Sequence, residues 1–530
     1  VGLTACRDER SASAGRIAMP EFYLLPEADE QTVSAGEAAG EPQCAKALSL
    51  RLEAPLSTRN PVVESAAGRF LGLQDGSVAK FLGLPYAEPP VDDLRFALPK
   101  PAAPLGEFHA TAFGPTPPAS MELPAPFTYP EIEGDGWLSL NVWTPAPMAE
   151  GAKLPVYVWF YGGSFAMGNT AQDIFDGSTF ARDGVVYVSA NYRVGIEGFT
   201  HFPDAPDNRG LHDQILALQW VQDNIAQFGG DPDRVTIGGE SAGSMSVSTL
   251  ATTRFAGTLF QQVICESGIG IAFTLEEAAK ATGFVAAALH KLPTAKSVSA
   301  VEARDAGKKV AEKLRKLSPH NILTVFAPVI DGDLLHETPV KSLSERPAPV
   351  TMIIGHNKNE ADFWRVFGEF APSDGALDAL VLALTPFRAK RDLIQTYVDA
   401  YGDTLSKQDI FVEFVSDAAF CAPSLAAQRG QGTNCYAYLF TWPSSIHSKT
   451  ALHTLDLGFA FDNVDAPGFI AYAGPDAPQS LADEIHGSWV RFITTGVPED
   501  DWKPYSSEAD IRVFGPPGRR NIEVLSAWKY

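Results

Sequence analysis

Val235-Thr236-Ile237-Gly238-Gly239-Glu240-Ser241-Ala242-Gly243 decides how the rest of the chain is read: a short strand runs into a G-x-S-x-G pentapeptide, and a helix-like run follows. A serine hydroxyl is a poor nucleophile. It gains from standing at the tip of a sharp, strained strand-to-helix turn where a base can reach its proton. Gly239 and Gly243 supply backbone freedom and let strand and helix pass closely. The helix start after Ser241 offers N–H groups that have no intrahelical acceptor to a developing negative charge. The pentapeptide also occurs in ordinary Gly- and Ser-containing loops, so its meaning depends on its surroundings.

Such a serine needs partners in a fixed order: an acid, then a histidine, with a glycine-rich turn upstream. Upstream, Val156-Tyr157-Val158-Trp159-Phe160 reads as a buried strand, and it ends in Tyr161-Gly162-Gly163-Ser164-Phe165. The N–H groups of Gly163, Ser164 and Ala242 are the expected oxyanion donors, with Gly162 shaping the turn. Downstream, Met352-Ile353-Ile354-Gly355-His356-Asn357-Lys358-Asn359-Glu360 is a strand entering a polar turn, where a carboxylate can be held at a strand's C-terminal edge. Glu360 is the candidate acid, with Asp362 and Asp333 as rivals that position alone leaves open. Among ten histidines, His453 stands out because Leu455, Leu457, Phe459 and Phe461 follow it with near-alternate apolar spacing; His447 is its competitor.

Longer stretches carry a family resemblance. Pro61-Val62-Val63-Glu64, Phe81-Leu82-Gly83-Leu84-Pro85-Tyr86-Ala87, Leu138-Ser139-Leu140-Asn141-Val142-Trp143-Thr144-Pro145, Asn191-Tyr192-Arg193-Val194-Gly195 and Phe228-Gly229-Gly230-Asp231-Pro232 resemble segments of the type-B carboxylesterases, from Pro61 to near the C-terminus. The resemblance implies an α/β-hydrolase fold, a central and mostly parallel twisted sheet with helices on both faces. It also implies carboxylic ester hydrolysis through an acyl-enzyme, with no metal or organic cofactor. Gly355-x-Asn357-x-x-Glu360 looks like the family's acid motif and His453-x-x-Asp456-Leu457 like its histidine motif, which favours Glu360 over Asp362 and His453 over His447. The implied set is Ser241 as nucleophile, His453 as general acid and base, and Glu360 as the orienting acid.

The chain also departs from the family. Trp137 stands where many members have the second cysteine of a loop disulfide, and Thr116-Pro117-Pro118 lies near the first, so that bridge is absent. Pro117, Pro118, Pro124, Pro126 and Pro130 are expected to stiffen the loop instead. In the family this loop walls the substrate gorge, so its lining does not carry over. Ser164 replaces the last glycine of the oxyanion turn, and Ala361 replaces a glycine after the acid. Phe165, Trp137, Phe363 and Trp364 are nominated as substrate-binding walls from their closeness to motifs.

With 530 residues, 45% hydrophobic and 20% charged, the chain can bury a large core. A net charge of −23 argues against nucleic-acid binding, and no uninterrupted apolar run approaches a membrane span. The expected organisation is a signal-peptide remnant and polar tether over 1–18, an extension over 19–60, and the hydrolase domain over 61–530. Leu3-Thr4-Ala5-Cys6 resembles a bacterial lipobox. It makes Cys6 a lipidation candidate and predicts an exported protein of the cell envelope or periplasm with a possible membrane anchor. Of the other cysteines, Cys421 and Cys435 are the only pair proposed for a disulfide, free buried thiols being the alternative. The partner expected is a small-molecule or natural-product ester. Two rival readings are a lipase or sterol-ester hydrolase of the same superfamily and a non-catalytic adhesion protein on the same fold, which would usually lack one member of the triad.

Overall fold

Each apolar kernel read from the sequence lies inside a longer strand. Val235-Thr236-Ile237 is the centre of an eleven-residue strand, Gly230–Glu240. Val156 to Phe160 lies in Leu154–Phe160, and Met352 to Ile354 in Thr351–Asn357. These strands are buried almost throughout, as expected for central strands covered on both faces, where apolar runs are continuous and not alternating. The structure is a computed structural model that describes residues 60–122, 129–149, 151–291, 293–317, 325–366, 388–447 and 449–528. The chain divides into Val1–Pro55 and Leu56–Tyr530; the first unit, with Cys6 and Cys44, lies outside the described residues, as do Pro124 and Pro126.

In chain order the strands are β1 (Val62–Ser65), β2 (Gly68–Leu71), β3 (Leu73–Asp75), β4 (Val78–Pro85), β5 (Glu107–His109), β6 (Ser139–Pro145), β7 (Leu154–Phe160), β8 (Val186–Ala190), β9 (Gly230–Glu240), β10 (Gln262–Glu266), β11 (Thr351–Asn357), β12 (Cys435–Phe440) and β13 (Arg512–Phe514). A ten-stranded sheet has the order β13-β12-β11-β10-β9-β7-β8-β6-β4-β3. It is parallel from β13 to β8 and antiparallel beyond. A small sheet, β1-β2-β5, stands apart from it. This is the α/β-hydrolase fold, a large and mostly parallel sheet flanked by helices. Because β7, β9, β10, β11 and β12 run the same way, the segments that follow them emerge along one edge of the sheet. The winding direction reverses where β7 meets β9, the place where open α/β sheets form their binding crevice.

One helical run, Lys407–Asn434, is long and apolar enough to cross a membrane by length and composition, which the sequence reading did not anticipate. Its apolar window is 78% buried inside the protein, so packing against the core accounts for its character. It is not a regular helix: Lys407–Ser416 and Ala422–Gln431 are joined by a π-turn at Asp417–Cys421. The proposed pairing of Cys421 with Cys435 is not formed. Both are free buried thiols, as is Cys265, and the Cys435 thiol donates to the Gln428 carbonyl at 3.7 Å.

Candidate active site

Ser241 stands between the end of β9 and the helix Ala242–Leu250, with φ 55° and ψ −122°. That left-handed conformation costs an L-residue on the order of 1–3 kcal/mol and persists only where surroundings impose it. They do so by close approach: a Cβ on Gly243 would lie 2.0 Å from the Phe160 carbonyl oxygen, so only glycine lets the helix start pass the end of β7. The Ser241 N–H donates to the Glu266 carbonyl at 3.0 Å, tying the turn to the end of β10.

The turn after β7 is equally strained. Gly163 has φ 119°, and Ser164 and Phe165 follow at 56° and 58°. Ser164 therefore occupies a conformation that suits glycine, which explains why its family counterpart is one. The turn is closed by Ala166 and Met167 N–H groups donating to the Gly163 carbonyl at 2.9 and 3.1 Å. Its Gly162 comes so near the elbow that a Cβ there would lie 3.0 Å from the Ser241 Cβ. The helix beginning at Ala242 leaves its first N–H groups without intrahelical acceptors.

Glu360 and His453 meet across 93 residues of sequence, His453 Nδ1 donating to Glu360 Oε2 at 2.6 Å with both side chains buried. The other carboxylate oxygen, Oε1, accepts the Asn357 N–H at 2.7 Å. The rivals are elsewhere: Asp362 pairs with Arg365 at 3.2 Å, Asp333 is exposed, and His447 lies near Tyr472 with its Nε2 buried and unpartnered. His453 Nε2 points toward Glu240 Oε1 at 3.1 Å, a contact out of line for a hydrogen bond. No hydrogen bond joins Ser241 to His453 among the described residues. Ala361, which stands in for a family glycine, needs no left-handed φ and donates its N–H to Ser416 Oγ at 3.0 Å.

A family model for the carboxylesterase family matches residues 59–514. The chain belongs to the carboxylesterase family. It is 34% identical over 471 residues to the para-nitrobenzyl esterase of Bacillus subtilis, a match covering 84% of this chain and 93% of that one. It is 32% identical over 518 residues to a liver carboxylesterase of Sus scrofa, covering 86% and 89% respectively. Among solved structures, a PNB esterase superposes with a TM-score of 0.70 at 31% identity, covering 84% of this chain and 92% of that one. A carboxylesterase of Geobacillus stearothermophilus does so with 0.69 at 30%, covering 83% and 91%. The chain is accordingly a serine hydrolase of carboxylic esters.

One acid of this carboxylesterase site, Glu266, lies outside the serine, acid and histidine motifs, and the environment of Glu240 and Asp456 is not announced by their places inside them. Beneath the elbow lie Glu240, Glu266 and Asp456, all buried with Glu360. Glu240 and Glu266 are paired in register on adjacent strands. Burial, and then Asp456, Glu360 and Glu266, push the Glu240 carboxyl well above the ordinary range. Burial and Asp456 do the same to Glu266, opposed by the Trp489 indole N–H that donates to it at 2.8 Å. Burial and Glu360 push Asp456 up to about 6, although Asn357 Nδ2 and the Tyr438 hydroxyl donate to it at 3.0 and 2.9 Å. The available signal was Glu266, a charged residue at the end of the apolar run Val263-Ile264-Cys265. Despite these acids, no group of three or more His, Cys, Asp or Glu among the described residues could hold a metal ion.

Aromatic rings surround the His453 imidazole. Trp364 lies nearly parallel to it at 5.8 Å, Phe363 meets it edge-on at 5.7 Å, and Phe420, from the π-turn, approaches to 4.5 Å. Phe363 and Trp364 were nominated as pocket walls; Phe420 was not. Of the other two nominees, Phe165 packs on Phe199 at 4.7 Å, and Trp137 is buried in the main core. Where the family's loop disulfide is missing, Thr116 closes the loop: its N–H donates to the Ile132 carbonyl at 2.9 Å and its Oγ1 accepts the Ile132 N–H at 3.1 Å.

Proposed function

We propose that Ser241 is the nucleophile of this esterase, His453 its general acid and base, and Glu360 the acid that orients the imidazole. The observation that carries this reading is the 2.6 Å contact of His453 Nδ1 with Glu360 Oε2 beside a serine held in a strained elbow. With Nδ1–H given to the carboxylate, Nε2 is the basic nitrogen of the neutral ring. It removes the Ser241 proton as Oγ attacks the ester carbonyl and returns it to the leaving alcohol; water then repeats the cycle on the acyl-enzyme. Nε2 bonds to Ser241 in the substrate-bound state, since catalytic hydrogen bonds are often formed fully only there. Burial and the neighbouring acids push the Glu240 carboxyl upward, which disfavours a carboxylate beside the imidazole.

The N–H groups of Gly163, Ser164 and Ala242 receive the oxyanion, each supplying roughly 2.7–4 kcal/mol to the transition state. Phe363 and Trp364 lie against the base and form the wall nearest the reacting carbonyl; Phe165 and Trp137 contribute through packing. Labelling with a fluorophosphonate probe and mass mapping tests the assignment. An adduct on the Ser241 peptide that disappears in Ser241→Ala is expected, and folded wild-type protein that takes no label refutes it.

We further infer that the protein is exported to the cell envelope and anchored through a lipidated Cys6, a residue outside those described, from the Leu3-Thr4-Ala5-Cys6 pattern. Intact-mass measurement of envelope-fraction protein expressed from the full gene checks this, and an unmodified Cys6 ends the idea.

A further inference from the structure

We propose that Tyr192 is a positioning residue for the oxyanion hole, holding the Gly163 N–H donor through the carbonyl of Tyr161; the proposal rests on the oxyanion assignment above. The two N–H donors of the turn belong to different peptide units with different anchors. The Ser164 N–H shares its peptide with the Gly163 carbonyl, which Ala166 and Met167 fix from downstream. The Gly163 N–H belongs to the Gly162–Gly163 peptide, one unit earlier, which is joined through the two backbone torsions of Gly162 to the Tyr161–Gly162 peptide.

That peptide is set by Tyr192. The Tyr192 hydroxyl donates to the Tyr161 carbonyl at 2.7 Å, while the Tyr161 hydroxyl donates to the Tyr192 carbonyl at 2.9 Å and accepts the Tyr192 N–H at 3.2 Å. The rings stack at 4.5 Å with 19° between their planes, and neither side chain is exposed to solvent. Each phenol is thus locked onto the other's backbone. Burial pushes the Tyr192 phenol well above its ordinary range, so it remains a donor. The same Tyr161 carbonyl oxygen would lie 2.8 Å from a Cβ on Gly243, placing it against the helix start that carries the third donor, Ala242. One carbonyl, held by one hydroxyl, therefore sets the turn relative to the elbow.

A thiono-ester, whose C=S fits an oxyanion hole poorly, separates this role from general stability. In Tyr192→Phe, kcat for an oxo-ester should fall roughly tenfold to thirtyfold with KM little changed, as expected for a donor displaced by a fraction of an ångström. The rate on the matched thiono-ester should barely move, so the oxo-to-thiono ratio narrows by the same factor. A trifluoromethyl ketone, which forms a tetrahedral oxyanion on the serine, should bind correspondingly more weakly.

Thr144→Val is the control. It removes a buried hydroxyl bond of 2.8 Å to the Phe228 carbonyl, which shares no partner with the Tyr161–Tyr192 pair, and should lower the melting temperature while leaving the ratio at its wild-type value. Equal loss on both esters in Tyr192→Phe, or no loss, overturns the proposal. So does a Tyr192→Phe protein that fails to fold while Thr144→Val folds, because the hydroxyl would then serve the fold and not the turn. A wild type with no preference for the oxo-ester fails differently: it removes the oxyanion assignment itself.

Discussion

The two halves of the site are made of different material. On one side, the turn after β7 and the elbow after β9 present main-chain N–H groups, and their geometry comes from glycines, positive φ angles and sub-van-der-Waals limits at Gly163 and Gly243. On the other side, Glu360 after β11 and His453 after β12 present side chains, and their geometry comes from buried carboxylates and aromatic rings gathered from distant parts of the chain. A backbone site is specified by a few contiguous residues and tolerates no added atom. A side-chain site is specified by packing and charge over long sequence distances, so it should fail by degrees.

The side-chain half nevertheless contains the single most sensitive bond. Glu360→Gln keeps the size of the side chain and can still accept the Asn357 N–H, yet it can offer an amide donor to His453 Nδ1 and so favour the wrong tautomer. The expected loss in kcat is about 10⁴-fold, with the melting temperature maintained or raised because one negative charge leaves a buried acidic group. Steady-state kinetics alongside calorimetry checks both parts; a loss of less than tenfold in folded protein would remove Glu360 from its assigned role.

The backbone half is broken by a single methyl group. In Gly163→Ala the residue must hold φ 119° and place its Cβ 2.3 Å from the Met167 carbonyl, so the turn has to move and its donors with it. A fall of roughly 10²–10³ in kcat is expected, the worth of one displaced oxyanion donor. A variant that retains wild-type kcat would show that the Gly163 N–H takes no part.

The contrast also accounts for what could be read in advance. Turn and elbow were legible because glycines directly after a buried strand serve to bend the backbone sharply or let another segment pass close, and the apolar kernels of β7, β9, β10 and β11 are unbroken. Glu360 and His453 could be separated from Asp362 and His447 only through resemblance, since the contact between them is set by the parallel pairing of β11 with β12 and no local pattern encodes it. Trp137 shows the limit of proximity in sequence: it adjoins a motif but faces the core. Phe420 was invisible because a π-turn aims it at His453, and such an irregularity, frequent at functional sites, leaves no periodic trace. The upward shifts of Glu240, Glu266 and Asp456 depend on mutual distance and burial, neither of which a linear motif states.

If the side-chain half fails by degrees, loosening its aromatic cage should cost less than either change above. Phe420→Leu keeps much of the volume and removes the flat face lying 4.5 Å from the imidazole and 6.1 Å from Trp364. A roughly tenfold fall in kcat is expected as the ring gains freedom, with a stability loss of about 1 kcal/mol. Chemical denaturation separates the two effects. An unchanged kcat would mean that Trp364 and Phe363 suffice to hold the base.

The last effect is one of pH on stability, not on rate, and it belongs to the side-chain half alone. Asp456 is held at about 6 in the folded protein, above the roughly 3.9 of an unfolded chain. A carboxyl whose pKa rises on folding binds its proton more tightly in the native state. Its contribution is therefore full below the unfolded value and is lost as pH rises through the folded one. Between about pH 4 and pH 6 this group should withdraw up to roughly 3 kcal/mol of stability. Asp456→Asn cannot titrate. Asparagine offers one acceptor oxygen where Asn357 Nδ2 and the Tyr438 hydroxyl now use two, so the variant starts with a fixed, pH-independent penalty. What decides the matter is the slope: the melting temperature of the variant minus that of wild type should rise from pH 4 to pH 7, whatever its offset. A flat difference would mean that Asp456 is ionised throughout, and that the acids beneath the elbow are relieved by neighbours and not by protons.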